Sequence, residues 1–232
     1  MIQCAAANPS AAGALRITPT SIDVQPDSQF CSVTVTNDRD QPVSIQVRGF
    51  GWSQNAAGDE VLDSDAAVVV NPAIFTLPPA QSRMVRCAVP APGGAATEGS
   101  WRLIIDELPG PPTKDTSAIR ALLRLSVPVF RTPDGAKPAL EVIPITADGD
   151  VKRYRLRNAG SAHVKVLDLK LGQGVDEQRL EQSFYLLAGA QREIAMPRPN
   201  LSPTPNIWAA TVQGDLPVTV AGGSALASAS AR

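Results

Sequence analysis

The sequence predicts an all-β protein made of two similar sandwich domains in tandem. Two alternating runs, Cys31–Asn37 and Tyr154–Asn158, end in asparagine, and each is followed by another alternating run, Val43–Val47 and Val164–Leu169. Alternation with period two places one face of a strand on a core and the other face in water. An asparagine can reverse the chain through a positive φ or by bonding its own backbone. The strand–turn–strand unit therefore occurs twice, and 232 residues fit two immunoglobulin-like sandwiches of about 100 residues each.

The first domain is predicted to hold seven strands, which is a full immunoglobulin-like complement. Pro19 interrupts the first run, Leu15–Val24, and so places it at an edge. Polar and proline-containing turns separate the remaining predicted strands, which are 30–36, 43–52, 66–70, 83–89, 101–107 and 119–130.

The second domain is predicted to repeat this organisation after a Pro- and Gly-containing linker. Its predicted strands are 139–146, 151–158, 163–171, 183–187, 191–195, 207–213 and 216–220. The predicted chain is thus a leader remnant 1–14, a first domain 15–132, a linker 133–138, a second domain 139–220 and a disordered tail 221–232, which is rich in small residues.

Composition excludes several classes of partner. The net charge of −1 gives no electrostatic reason to bind nucleic acid or an anionic membrane. No stretch approaches the roughly 20 apolar residues of a membrane span.

The run Ala12-Gly13-Ala14 fits a signal-peptidase site, although the apolar region that normally precedes such a site is lacking. We therefore expect an exported chain whose mature form begins close to Leu15.

Two cysteines occupy inward-facing positions of alternating runs. Cys31 and Cys87 would meet if their strands were neighbours in one sheet. A disulfide would fit an exported protein, and two buried thiols acting as small apolar residues explain the pattern equally well. Both interpretations stay open at this point.

The chain offers little material for catalysis. His163 is the only histidine and lies in a turn, where we expect a structural role. No metal-ligand spacing and no phosphate-binding loop occur. We therefore predict that the protein is not an enzyme and needs neither cofactor nor metal.

Arg86 and Glu107 are predicted to form a structural ion pair within the first domain.

The last strand of the first domain, predicted over 119–130, is unusually long. One side of it carries Ile119, Ala121, Leu123 and Leu125, and the other side includes Arg124 and Ser126. A long edge strand of this kind invites pairing with another chain, because its outer N–H and C=O groups lack partners. The alternative is that both faces are buried within the sandwich.

Several short stretches recur in the right order along both predicted domains. They are Pro19-Thr20, Val35-Thr36-Asn37, Trp52-Ser53-Gln54, Asn71–Pro79, Gln81–Arg86, Trp101–Pro109, Val127–Phe130, Tyr154–Gly160 and His163-Val164. Through these stretches the first domain resembles a known family, the periplasmic chaperones of chaperone–usher pilus assembly. The second domain matches this family more loosely, and the resemblance extends over nearly all of residues 15–220.

The resemblance implies two immunoglobulin-like domains in a boomerang arrangement. It also implies donor-strand complementation, in which the last strand of the first domain caps a pilus or fimbrial subunit before delivery to an outer-membrane usher. The donated side chains would be Ile119, Ala121, Leu123 and Leu125. A second copy of the chain would be another cover for this edge. The rival interpretations are a structural pilus or adhesin subunit and a module that binds a ligand between its domains.

The resemblance fails where the family anchors the carboxylate of its client. The best-known members use an arginine and a lysine there, whereas the matching positions in this chain are Ser21 and Ser126. A neutral donor forms a weaker bond to a carboxylate than a charged donor does. Arg124 shares a face with Ser126, so we expect Arg124 to supply the charge, with Arg86 as a second candidate.

Overall fold

The computed structural model describes residues 15–110, 121–148, 151–171, 178–197 and 207–221. All regular structure in these ranges is β-strand, which confirms the predicted all-β class. None of the described residues forms a helix that is long and apolar enough to cross a membrane.

The chain divides into two compact units. The first contains the chain up to Gly51 together with Asp63–Pro92 and Trp101–Phe130, and the second contains Trp52–Leu62, Gly93–Ser100 and the chain from Arg131 onwards. The domain limits predicted from the sequence stay a prediction. The predicted leader and all but the first residue of the predicted tail lie outside the described residues.

The first ten strands form two sheets. One sheet has the order β1-β3-β8-β6, and the other has the order β2-β10-β9-β4-β5, with β7 also paired to β4. The strands are β1 (Leu15–Thr18), β2 (Ile22–Val24), β3 (Phe30–Asn37), β4 (Val43–Gln54), β5 (Glu60–Asp63), β6 (Val69–Asn71), β7 (Ile74–Leu77), β8 (Ser82–Ala88), β9 (Gly99–Glu107) and β10 (Arg124–Arg131).

The core between these sheets is built from the inward positions of the alternating runs. Val33 and Val35 of β3, Ile45 of β4 and Leu103 of β9 are essentially inaccessible to solvent. Pro19 separates β1 from β2, and the two short strands join different sheets, so the single first strand predicted from the sequence is wrong.

The remaining strands surround a second core. They follow the order β14-β13-β17-β18-β11-β12-β16, and β15 is also paired to β13. The core includes Val142, Leu156, Val166, Leu169, Leu186 and Ala209, all fully buried. The strands are β11 (Leu140–Asp148), β12 (Val151–Asn158), β13 (Val164–Leu171), β14 (Gln178–Leu180), β15 (Phe184–Leu186), β16 (Gln191–Pro197), β17 (Ile207–Thr211) and β18 (Gly214–Val220).

Asn37 closes β3 with a side chain that is entirely buried. Its Oδ1 accepts a hydrogen bond from the backbone N–H of Arg39 at 3.1 Å. Its Nδ2 donates to the carbonyl oxygens of Gln41 at 2.8 Å and Leu77 at 3.0 Å. One amide group thus fixes the turn after β3 and joins it to the end of β7.

Asn158 repeats this arrangement at the end of β12. It is also fully buried. Its Oδ1 accepts from the N–H of Gly160 at 3.0 Å, and its Nδ2 donates to the carbonyls of Ala162 at 2.7 Å and Leu186 at 3.2 Å. Both asparagines therefore bond residues two and four positions ahead, which is one of the two turn chemistries expected from the sequence. The other, a positive φ, is used by neither residue.

Replacing Asn37 with alanine should lower the free energy of unfolding by about 3 kcal/mol, because several buried backbone groups lose their partner. Asn55 offers a matched control, since its Oδ1 bonds the N–H groups of Ala57 and Asp59 in an exposed turn. Asn55→Ala should cost less than about 1 kcal/mol, because water replaces the lost bonds. Urea unfolding measures both changes, and equal losses would contradict a buried structural role for Asn37.

Candidate functional site: the start of strand β10

An exposed apolar segment lies directly before β10 of the first sandwich. Ala121, Leu122 and Leu123 precede the strand and are exposed, and Leu123 is 36% exposed. Leu125 is partly buried against the core, and the chain is buried from Val127 to Phe130. The strand predicted over 119–130 thus begins only at Arg124, and Ile119 lies outside the described residues.

The position of β10 in its sheet also differs from the prediction. β10 lies between β9 and β2, so the outermost strand of this sheet is β2 rather than β10. β2 has three residues and β10 has eight, so β2 covers only part of its neighbour. The side chains of β10 are buried only from Val127, so the beginning of β10 is the part of the strand that is accessible to a partner.

Glu107, the last residue of β9, holds Leu123 through both of its backbone groups. The N–H of Glu107 donates to the carbonyl of Leu123 at 2.9 Å. The N–H of Leu123 donates to the side-chain Oε2 of Glu107 at 3.3 Å. The Glu107 side chain has no exposed surface. A buried carboxylate therefore marks the point where the exposed segment meets the sheet.

The partner of Glu107 is Arg39. The two guanidinium nitrogens of Arg39 lie 2.7 and 3.0 Å from the two carboxylate oxygens of Glu107 in a fork. The predicted pairing with Arg86 is wrong, because Arg86 lies on an exposed face of β8, in the sheet opposite the one that contains β9. The alternation of apolar residues did not indicate the pairing of Arg39 with Glu107. The signal in the sequence was the position of Arg39, two residues after the buried Asn37.

Asp106 forms a second charged cluster on the other face of β9. Its carboxylate accepts hydrogen bonds from Arg124 and, at 2.7 Å, from Arg48 of β4. Burial by itself would raise the pKa of Asp106, but the hydrogen bonds from Arg124 and Arg48 outweigh it and hold this pKa below its ordinary value. The cluster has two positive charges and one negative charge, and it ties the first residue of β10 to β9 and β4.

A groove of about 410 Å³ lies beside this cluster. It is bordered by charged side chains of the six-stranded sheet and by leucines of the segment before β10. The lining residues are Gln46, Arg48, Asp106, Glu107, Leu108, Leu122, Leu123 and Arg124.

A family model described as "Pili and flagellar-assembly chaperone, PapD N-terminal domain" matches residues 14–137, slightly more than half of the chain. The chain belongs to this family. No curated protein matches it by sequence.

Solved structures of pilus chaperones share the fold of this family member. A chain in the CsuC–CsuE chaperone–tip adhesion subunit complex of archaic Csu pili from Acinetobacter baumannii is 19% identical, with a TM-score of 0.72, and the match covers 89% of this chain and 99% of that one. The CupB2 chaperone of Pseudomonas aeruginosa is 15% identical, with a TM-score of 0.59 and coverage of 87% and 97%. A chain in the Salmonella enterica SafA pilin–SafB chaperone complex is 14% identical, with a TM-score of 0.59 and coverage of 89% and 94%.

The residues expected to anchor a client carboxylate lie on β10 and just before its sheet neighbour β2. Arg124 and Ser126 are both exposed on β10, whereas Ser21 is half-buried just before β2. The guanidinium of Arg124 is paired with Asp106, a carboxylate that it shares with Arg48. The anchoring role of these three residues stays a prediction.

The two cysteines of the first sandwich form a disulfide. Cys31 of β3 and Cys87 of β8 are directly opposite each other in the ladder, with 4.8 Å between their Cα atoms. Of the two alternatives that the sequence leaves open, the structure has the bridge rather than two separate thiols.

His163 has the surroundings of a structural residue. Its Nδ1 lies 2.8 and 2.9 Å from the two carboxylate oxygens of Glu98, whose side chain is almost completely buried. Thr132 donates to the same carboxylate at 2.7 Å. Among the described residues, no group of three or more side chains is arranged to hold a metal ion.

Replacing Asp106 with asparagine should remove the ion pairs that hold the start of β10 and lower the free energy of unfolding by about 0.5–1 kcal/mol near neutral pH. Because the folded protein lowers the pKa of Asp106, this contribution is present above the ordinary carboxyl pKa and is lost as the pH falls through the lower, folded value. Unfolding both proteins in urea between about pH 7 and pH 3 tests this. A difference between them that does not change with pH would rule out the assignment.

Proposed function

We propose that this chain acts in the periplasm, where it captures pilus subunits by lending them the start of β10 and delivers them to an outer-membrane usher. The observation that carries the proposal is the exposed apolar segment Ala121–Leu123, which enters a sandwich that is otherwise filled by its own side chains. A subunit that lacks one strand has the complementary defect, because it exposes a groove where that strand would lie.

The chemistry of this capture is strand addition. The main chain at the start of β10 supplies hydrogen bonds to a neighbouring strand, and alternate side chains fill pockets of the partner. Ala121 and Leu123 share the inward parity of Leu125 and Val127, so these side chains enter the groove of the subunit. The residue predicted to precede them on this face, Ile119, lies outside the described residues.

Most of the stabilisation arises on the side of the subunit. Burying an entire leucine side chain contributes about 1.5–3 kcal/mol. Leu123 is only 36% exposed, so covering it contributes about 1 kcal/mol or less. Covering the open core of the subunit and completing its ladder supply the larger share. The chaperone is therefore a template whose own fold changes little.

The solved structures of related fold support the class of client. The CsuC–CsuE structure is a chaperone–tip adhesion subunit complex, and the SafA–SafB structure is a pilin–chaperone complex. In the absence of a subunit, a second copy of the chain can cover the same segment. The alternative that the chain is itself a fibre subunit is less well supported, because its first core is closed by its own strands.

The disulfide supports the proposed compartment. Bridges of this kind persist in oxidising environments such as the bacterial periplasm. Cys31–Cys87 joins two strands of the first sandwich that are 56 residues apart in sequence.

Replacing Leu123 with glutamate should abolish subunit capture and leave the chaperone folded, because a charge would have to enter the apolar groove of the client. Leu122 offers a matched control, since it is similarly exposed and has the opposite parity. Leu122→Glu should change capture by no more than about threefold. Capture is measured as the soluble complex formed when a denatured pilus subunit from the same organism is diluted into the chaperone. Equal capture by Leu123→Glu and wild type would exclude strand donation from this segment.

Removing the bridge by the double change Cys31→Ala/Cys87→Ala should lower the free energy of unfolding by about 2–4 kcal/mol, because the unfolded chain gains conformational freedom. Denaturant unfolding of the variant and of the wild type prepared from the periplasm measures the difference. Reactive thiols at both positions in that wild-type sample would contradict periplasmic oxidation.

A further inference from the structure

We infer that Arg39 and Glu107 are positioning residues, which fix the backbone at Leu123 so that the exposed segment Ala121–Leu123, the donor segment, is ordered before a subunit arrives. The inference rests on the proposed function. It concerns how the segment is held, whereas the proposed function concerns what the segment does.

The hold on Leu123 is unlike a regular ladder contact. In a regular antiparallel pair, two opposite residues exchange two bonds between their main chains. At Leu123, the carbonyl accepts from the main-chain N–H of Glu107, but the N–H donates to the Glu107 carboxylate. Glu107 therefore binds both polar backbone groups of Leu123, one with its backbone and one with its side chain.

This hold determines which backbone groups remain available to a partner. Along a strand, the backbone groups of successive residues point to opposite neighbours. With Leu123 directed at β9, the backbone groups of Leu122 and Arg124 are directed at the other side, where a strand of the client would pair. Fixing a single residue thus sets the register of the donor segment.

Stability alone does not account for a carboxylate at this position. The Glu107 side chain is fully buried and Arg39 is only one-quarter exposed. Buried ion pairs can often be replaced by apolar residues of similar size without loss of stability. What an apolar residue cannot do is accept the hydrogen bond from Leu123. The specific property of Glu107 is therefore its acceptor oxygen, and Arg39 orients that oxygen through its own hydrogen bond at 3.0 Å.

The second unit provides an internal comparison. Asn37 and Asn158 make the same turn, and the residue two positions ahead that donates its N–H to the asparagine Oδ1 is Arg39 in the first turn and Gly160 in the second. The turn itself forms with a glycine, so it does not need the arginine side chain. The arginine occurs in the unit that contains the donor segment.

Ordering the segment in advance favours capture. A backbone that is already fixed loses less conformational entropy when it pairs with a partner. Removing the acceptor at Glu107 should therefore weaken capture while the sandwich itself stays folded.

The decisive variant is the double change Arg39→Leu/Glu107→Leu, which removes both charges together and leaves no buried charge unpaired. Amide hydrogen exchange in the free chaperone reports directly on the N–H of Leu123. Capture is measured with the same denatured pilus subunit as for the Leu123→Glu variant. The matched control is Arg16→Leu/Asp38→Leu, which removes an exposed ion pair of the same unit.

We expect the double variant to fold. The N–H of Leu123 should exchange about tenfold faster and capture should fall about tenfold, which corresponds to freeing roughly one residue of backbone. Exchange in β3 should not change, and the control should resemble wild type. Glu107→Gln keeps an oxygen acceptor without the charge, and it should show smaller changes in both measurements, about threefold.

A folded double variant in which Leu123 exchange and capture are both unchanged would overturn the inference. If the double variant does not fold, Arg39→Met/Glu107→Met, which also removes the acceptor and both charges, takes its place, and unchanged exchange and capture in that variant overturn the inference in the same way. If Leu123 exchanges as expected but wild-type chaperone captures no subunit, the positioning stands and the proposed function fails.

Discussion

The buried ion pair between Glu107 and Arg39 is the interaction on which the arrangement of the exposed segment Ala121–Leu123 depends. A carboxylate without solvent contact requires a counter-charge and hydrogen-bond donors, because burying it alone costs several kcal/mol. Arg39 supplies the charge and Leu123 supplies an N–H. Arg39 is itself placed by Asn37, which closes β3. A continuous set of contacts therefore joins the turn after β3 to the segment before β10.

The first sandwich meets two requirements that conflict, a closed core and an accessible strand. Its core must be complete, so that the chaperone folds alone, and one strand must stay open to a partner. The core is closed by residues of both sheets, and β10 contributes Val127 and Val129 to it. Only the beginning of the strand is exposed. There the charged cluster of Asp106, Arg48 and Arg124 lies beside the exposed leucines, and charges at an exposed edge discourage unspecific aggregation.

The sequence predicts the parts of this structure that depend on local alternation. The strands beginning at Phe30, Val43 and Val151 and the repeated asparagine turn follow from residues that are close in the chain. The partner of Glu107 does not, because it depends on which loop the fold brings to the end of β9. Arg39 and Gly160 occupy equivalent positions, two residues after the asparagine of each turn. Comparing the two turns in the sequence singles out the arginine, but it does not identify Glu107 as its partner. The split of the first strand at Pro19 and the late start of β10 likewise depend on pairing between distant segments.

The most direct test of the central claim is a crystal structure of this chaperone bound to a pilus subunit. We expect that a strand of the subunit pairs with the accessible start of β10. We also expect that Ala121 and Leu123 enter the core of the subunit and that the bonds between Leu123 and Glu107 are retained. A subunit bound elsewhere on the chaperone, with the start of β10 still exposed, would contradict it.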